Sequence, residues 1–91
     1  MRVRMHVFSI LRECLPPNAR QGQVEVDLPE RATLRALIRR FGMDERLGVP
    51  PDGSLAQVGW QVLVNGVYEE DPDRALADGD EVSIFPPMAG G

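Results

Sequence analysis

Thr33-Leu34-Arg35-Ala36-Leu37-Ile38-Arg39-Arg40-Phe41-Gly42 is the stretch on which the fold turns. Leu34, Leu37, Ile38 and Phe41 recur at i, i+3, i+4 and i+7, the spacing that lays one apolar stripe along a helix. Thr33 brings a capping hydroxyl to the start of the stripe, and Gly42 offers the backbone freedom needed just past its end. The pattern predicts one amphipathic helix with its stripe turned to the core. Arg31, Arg35 and Arg39 fall on the opposite side with Arg40 close by, a set that reads as a solvated face before it reads as an anion site.

Segments of a different period flank this helix. Upstream, Val3, Met5 and Val7 alternate with Arg2, Arg4 and His6, and Val24-Glu25-Val26-Asp27-Leu28 alternates again before Pro29. Both read as half-buried strands of a hairpin with a long connection, which holds a helical turn at Leu11–Leu15 stopped by Pro16-Pro17-Asn18. Downstream, 43–60 is the least regular part, with a short helical piece at Asp44–Leu47 and a turn at Pro50-Pro51-Asp52-Gly53. Gln61-Val62-Leu63-Val64 reads as a strand, Asn65-Gly66 as a tight hairpin turn, and Val67-Tyr68 as the return arm. Asp73-Arg74-Ala75-Leu76 is expected to make a short turn of helix, Asp78-Gly79-Asp80 a tight turn, and Glu81–Phe85 a last strand.

Strand, strand, helix, long loop, strand, short arm, strand is the order of an α+β domain. A mixed sheet of four to five strands with one main helix packed on one face accounts for it, the first and last strands lying side by side at the centre. This is the β-grasp, or ubiquitin-like, arrangement. It predicts a β-grasp domain over 1–85 with Val3, Met5, Val7, Val24, Val26, Leu34, Leu37, Ile38, Val62, Val64, Val82 and Ile84 as its core, followed by a flexible tail over 86–91.

Composition narrows the chemistry. The 91 residues hold 10 basic and 14 acidic side chains, for a net charge of −4, and all ten cations are arginine. Nine arginines against six acids give residues 1–48 a charge of +3, whereas one against eight gives 49–91 a charge of −7. This polarity fits a solvated surface as well as an acidic half that meets a basic partner. The acidic balance argues against nucleic acid as a ligand. The start of the chain lacks the apolar run of a signal peptide, and no window is long enough to cross a bilayer, so the expected location is cytoplasmic, with no membrane partner. One cysteine and one histidine make neither an internal disulfide nor a four-ligand zinc site. His6, on a strand among arginines, reads as an exposed or partly packed imidazole, and Cys14 as a packing residue. Trp60 and Met43 read as covers for the core edge. No nucleophilic triad or Gly-rich phosphate loop can be assembled.

The exceptional feature follows the last strand. Pro86-Pro87-Met88-Ala89-Gly90-Gly91 begins with a diproline that favours extended backbone and ends on two residues without side chains. At up to about 3.4 Å per residue, six residues reach roughly 20 Å, enough to pass through a narrow channel and bring a terminal carboxylate into a neighbouring active site. Strand alternation adds a docking surface beside the tail. With Val62, Val64, Val82 and Ile84 inward, Leu63 and Phe85 point outward, and Tyr68 is placed to join them. The same residues could instead pack beneath the 43–60 loop, and Phe8 fits either arrangement.

Leu11-Arg12-Glu13 after the first strand, the stretch Leu76-Ala77-Asp78-Gly79-Asp80-Glu81-Val82 and the ending Phe85-Pro86-Pro87-Met88-Ala89-Gly90-Gly91 resemble the landmarks of the ubiquitin-like sulfur carriers, the MoaD/ThiS group. The Phe-Pro-Pro lead into Gly-Gly is most similar to small subunits of molybdopterin synthase. The resemblance implies a non-catalytic, sulfur-donating subunit that binds no cofactor itself. A ubiquitin-activating-type adenylating enzyme, using ATP and Mg, would adenylate Gly91. A sulfur donor such as a cysteine desulfurase or a rhodanese would then leave a thiocarboxylate there. The tail, with Gly90 before the reactive group, would insert into the molybdopterin synthase large subunit of a heterotetramer and pass sulfur to a pterin precursor of the molybdenum or tungsten cofactor. The resemblance also admits a carrier for a cysteine- or thiamine-type pathway, or a ubiquitin-like modifier conjugated through Gly91.

Overall fold

The computed structural model describes residues 1–48, 54–55 and 59–86. Its elements run β1 (Arg2–Val7), a 3-10 helix (Ser9–Cys14), β2 (Gln23–Asp27), α1 (Leu34–Arg40), α2 (Met43–Leu47), β3 (Gln61–Val64), β4 (Val67–Tyr68) and β5 (Glu81–Phe85). The five strands form one mixed sheet in the order β2-β1-β5-β3-β4, with β1 and β5 parallel and every other pair antiparallel. The two ends of the sequence thus meet at the middle of the sheet, as the alternation predicts.

Local chemistry accounts for the elements. The Thr33 hydroxyl accepts a hydrogen bond from the Ala36 amide at 3.2 Å, taking up one of the amides that a helix start leaves unpaired. Gly42, at φ 70°, separates α1 from α2, so the predicted helical piece at Asp44–Leu47 forms one residue earlier than read. Asn65 and Gly66 both have positive φ (53° and 82°), the signature of the tight turn predicted there. A second such turn, Arg20-Gln21-Gly22-Gln23, was not legible. Gln21 and Gly22 carry φ of 52° and 78°, while Arg20 and Gln23 exchange backbone bonds of 2.9 Å.

All twelve predicted core residues are buried, and Leu11, Leu28, Met43, Leu47, Leu55 and Leu76 join them. Cys14, Phe41 and Trp60 are half-buried against this core. One expectation fails. Asp73–Leu76 forms no helix: Ala75 pairs with Thr33 as an isolated bridge, and the Leu76 amide donates to the Ala32 carbonyl at 2.8 Å. Pairing with the segment that leads into α1 satisfies this backbone better than a single isolated turn of helix would. Arg35 departs from the solvated reading too, its side chain only 12% exposed and its Nε 3.0 Å from Asp73. The turn read at Pro50-Pro51-Asp52-Gly53 lies outside the described residues.

Candidate functional site

Among the described residues, the helices and the buried apolar side chains lie on one face of the sheet and leave the other open. Along the open face the strands present Arg2, Arg4 and His6 from β1, Gln23, Glu25 and Asp27 from β2, Gln61 and Leu63 from β3, Tyr68 from β4, and Glu81, Ser83 and Phe85 from β5, as the register requires.

One end of this face is a charge lattice. Arg2 lies 3.5 Å from Glu25 and 3.1 Å from Asp27, and Arg4 lies 3.7 Å from Glu25 and 4.0 Å from Glu81. The hydrogen bond to Asp27, then the charges of Asp27 and Glu25, raise the Arg2 guanidinium above its ordinary value. These pairs are exposed and offer water a satisfied surface rather than an empty charge.

The other end is apolar and aromatic. Leu63 stands opposite Tyr68 on one side and Ser83 on the other, and Phe85 stands opposite Gln61. Leu63 and Phe85 are therefore diagonal neighbours. Tyr68 is 65% exposed and its hydroxyl is 3.4 Å from Gln61 Oε1. The predicted trio of Leu63, Tyr68 and Phe85 is thus assembled on one face. Tyr68 also lines a cleft with Leu55 and Trp60, and residues 49–53 and 56–58, beneath which the trio could pack, lie outside the described residues.

Phe8 settles on the same side. Its ring stacks on Phe85 with centroids 4.5 Å apart and planes 16° from parallel, and the His6 ring lies 4.2 Å from that of Phe8, tilted by 34°. Alternation places His6 and Phe8 on this face. Their stacking with Phe85 depends on the parallel register of β1 and β5, which no local pattern carries. His6 is therefore the partly packed imidazole that the sequence suggests.

β5 leads straight out of this patch. It is flanked by β1 and β3, with Val82 and Ile84 fully buried, so Phe85 and the half-buried Pro86 leave from the most firmly held strand. A clamp secures its other end. Asp80 accepts hydrogen bonds from the Asn65 side-chain amide at 2.9 Å and the Ala77 amide at 2.8 Å, while Asn65 Oδ1 accepts from the Glu81 amide at 2.9 Å. Desolvation pushes the Asp80 carboxyl up, but the bonds from Ala77 and Asn65 and the charge of Arg74 outweigh it and hold the group below its ordinary value. Pro87, Met88, Ala89, Gly90 and Gly91 lie outside the described residues.

Cys14, free and half-buried, packs against the core. Among the described residues no three His, Cys, Asp or Glu side chains come together as a metal site, and no helix is long and apolar enough to cross a membrane.

Comparison with known proteins places this geometry. The ThiS family model matches residues 5–91. A protein of Archaeoglobus fulgidus assigned as a sulfur carrier is 36% identical over 84 residues, covering 85% of this chain and 93% of its own length. Small archaeal modifier protein 3 of Haloferax volcanii is 34% identical over 95 residues, with full coverage of both chains. Among solved structures, SAMP1 of H. volcanii superposes with a TM-score of 0.69 at 30% identity, covering 100% of both chains. A protein of Pyrococcus furiosus assigned as molybdopterin converting factor subunit 1 gives 0.65 at 30%, covering 96% of this chain and 98% of its own. A complex of subunits 1 and 2 of molybdopterin-converting factor from Helicobacter pylori contains a chain of the same fold, at 0.59 and 22% identity with 100% coverage of both chains.

Proposed function

The chain belongs to the ThiS family of ubiquitin-like sulfur carriers and small modifiers, and from that premise we propose that Gly91 carries sulfur as a thiocarboxylate for molybdenum or tungsten cofactor assembly. A carboxylate with a pKa near 3.5 is ionised at neutral pH and is a poor acyl donor. An adenylating enzyme of the ubiquitin-activating type, with ATP and Mg, converts it to an acyl-adenylate. The persulfide of a desulfurase- or rhodanese-type donor displaces AMP to form an acyl disulfide with Gly91, and a second thiol of the donor system attacks that disulfide, releasing the thiocarboxylate and leaving the two donor sulfurs joined as a disulfide. The thiocarboxylate sulfur is a better nucleophile than the oxygen it replaces, and the tail presents it inside the large subunit of a molybdopterin synthase. This chain contributes the sulfur and the means of delivering it; the pterin-binding and acid/base groups belong to the partner.

The observation that carries the reading is the continuity of Phe85 with the tail. Phe85 belongs both to the exposed apolar patch with Leu63 and Tyr68 and to the stack with Phe8, so a partner that covers the patch receives the residues after Pro86 at its own surface. Apolar and aromatic clusters of this kind are where binding energy concentrates. The subunit pairing named for the H. pylori complex and the P. furiosus subunit 1 support a large-subunit partner.

The modifier relatives of H. volcanii favour a second reading, conjugation of Gly91 to amines of other proteins. Intact mass spectrometry of the protein purified from its native host separates the two. A carrier shows one terminal oxygen exchanged for sulfur, whereas a modifier is recovered as isopeptide-linked Gly91 on other chains; neither species in cells making the cofactor would refute the proposal.

A further inference from the structure

The sheet has two edges, and they are not alike. β4 is two residues long and offers little backbone. β2 is five residues long, and its hydrogen-bonding phase is set by Met1 and Leu28, which exchange bonds of 2.9 and 2.8 Å. Alternation then turns the backbone groups of Val26 and Val24 toward β1 and those of Asp27, Glu25 and Gln23 outward. Gln23 is occupied by Arg20, and the Asp27 carbonyl accepts from Arg40 Nη1 at 3.0 Å. Glu25 N–H and C=O and Asp27 N–H have no protein partner among the described residues.

These groups face a groove rather than a bare edge. The chain before β2 pairs with it once, at Arg20 and Gln23, and then diverges, leaving a wedge of about 340 Å³ lined by Pro16, Asn18, Val24–Asp27, Arg40 and Phe41. The half-buried Pro16 and Phe41 give it apolar walls. Its charge is positive at both ends: Arg20 at the closed end and Arg40 at the open end have no carboxylate partner among the described residues, whereas Glu25 and Asp27 are neutralised by Arg2 and Arg4.

We propose that the β2 edge is a second interaction surface, which takes an extended peptide segment of a partner protein, apolar at its centre and carrying a carboxylate at each end. The central residue pairs with the backbone of Glu25 and, like Glu25, turns its side chain to the open face, so its two apolar neighbours face the wedge and rest on Phe41 and Pro16. The flanking carboxylates reach Arg20 and Arg40, four residues of strand or roughly 13 Å apart. A second copy of this chain is the wrong occupant, because an antiparallel edge-to-edge pair centred on Glu25 sets Gln23 opposite Asp27 and so brings Arg20 of each copy against Arg40 of the other. The surface lies at the opposite edge of the sheet from Tyr68, so it is open while the patch and the tail are engaged, and it stands whether or not Gly91 carries sulfur.

The test is a ¹⁵N titration of the full chain with acetyl-Asp-Ile-Val-Ile-Asp-amide. Saturable shifts with Kd below about 1 mM, confined to β2, Asn18, Arg20, Arg40 and Phe41, are expected, with at least tenfold weaker binding of the peptide bearing arginine in place of both aspartates. Glu25→Pro removes the outward N–H without touching the ladder to β1 and should abolish binding, whereas Glu25→Ala should retain it. Arg20→Glu combined with Arg40→Glu probes the charged ends independently, changes no residue of β2 although it frees the Asp27 carbonyl that Arg40 holds, and should weaken binding at least tenfold. Equal binding of the two peptides, shifts centred on Leu63 and Phe85, or no saturation by millimolar peptide overturns the proposal.

Discussion

Phe8 and Phe85 stack with ring centroids 4.5 Å apart and planes 16° from parallel, joining the loop after β1 to the last residue of β5. The contact fixes the direction in which the chain leaves the sheet, because Phe85 is held from one side by its ladder and from the other by the ring of Phe8. Phe8→Ala should therefore weaken association with the large subunit at least tenfold, an effect above the roughly 1 kcal/mol that marks a contributing interface residue. It should cost the fold only about 0.5–1.5 kcal/mol, the worth of one aromatic pair. Titration calorimetry with the large subunit, set beside thermal unfolding of the free chain, separates the two. Unchanged affinity would remove Phe8 from the docking surface.

Asp80 ties three segments together through Asn65, Ala77 and, next along the chain, the start of β5. Asp80→Ala removes a charged acceptor from two hydrogen bonds and should destabilise the chain by about 1–3 kcal/mol. The folded carboxyl titrates below its ordinary value of 3.8. Its contribution is therefore complete above that unfolded value and disappears as pH falls through the lower, folded one. The gap in melting temperature between wild type and Asp80→Ala should be constant from pH 6 to about pH 4 and begin to narrow below that; a constant gap down through the acid range would rule out the linkage.

The helix, the strands and the twelve core positions were legible because each rests on a period that a short window reveals. What the sequence hid was nonlocal or rested on an unusual backbone. Leu55 and Leu76 are buried from connecting segments, where no period marks them, whereas Leu28 continues the alternation of Val24 and Val26. Ala75 and Leu76 pair with the chain entering α1 because the tertiary fold brings it there, against a local pattern that reads as helix. The Leu63, Tyr68 and Phe85 patch was readable from alternation alone. The place of His6 and Phe8 in it was not, since it requires β1 to lie parallel to β5 with Val7 opposite Ile84.

Gly22 illustrates the backbone case. At φ +78° it occupies a conformation that side chains resist, and an added Cβ would fall 2.4 Å from the Val7 carbonyl oxygen, in the place where the Val7 amide donates to Gly22. Backbone cannot move aside as a flexible side chain can. Gly22→Ala should cost roughly 2 kcal/mol or more, combining left-handed strain with a backbone clash. Urea unfolding would show it as a lower midpoint at constant slope, and an unchanged midpoint would mean that the turn relaxes.

Arg31 is the converse. It holds φ +68° in the turn closed by the Ala32 amide and the Pro29 carbonyl at 3.1 Å, a position that favours glycine. Arg31→Gly should relieve about 1–2 kcal/mol of left-handed cost and lose about 0.4–1 kcal/mol to the freer unfolded chain, a net gain of roughly 0.5 kcal/mol. The melting temperature should rise. A fall would show that the Arg31 side chain contributes more to stability than its backbone costs.

The tail divides stability from function in a way that the sheet makes testable. β5 ends at Phe85, and among the described residues the buried ones lie before it, so changes after Pro86 leave that described core intact. Deleting Gly90 and Gly91, or adding one alanine after Gly91, should leave the melting temperature within about 1 °C, since surface changes of this kind fall within roughly 0.5 kcal/mol. Either change should abolish sulfur transfer, because a thiocarboxylate forms only on the terminal residue and its position depends on the length of chain beyond the Phe8–Phe85 stack. Transfer is read as sulfur in the pterin product of the reconstituted synthase, and stability by calorimetry on the same preparations. A variant extended by alanine that still transfers sulfur at the wild-type rate would move the reactive group away from Gly91, whereas one that also unfolds early would show the tail packing on the sheet.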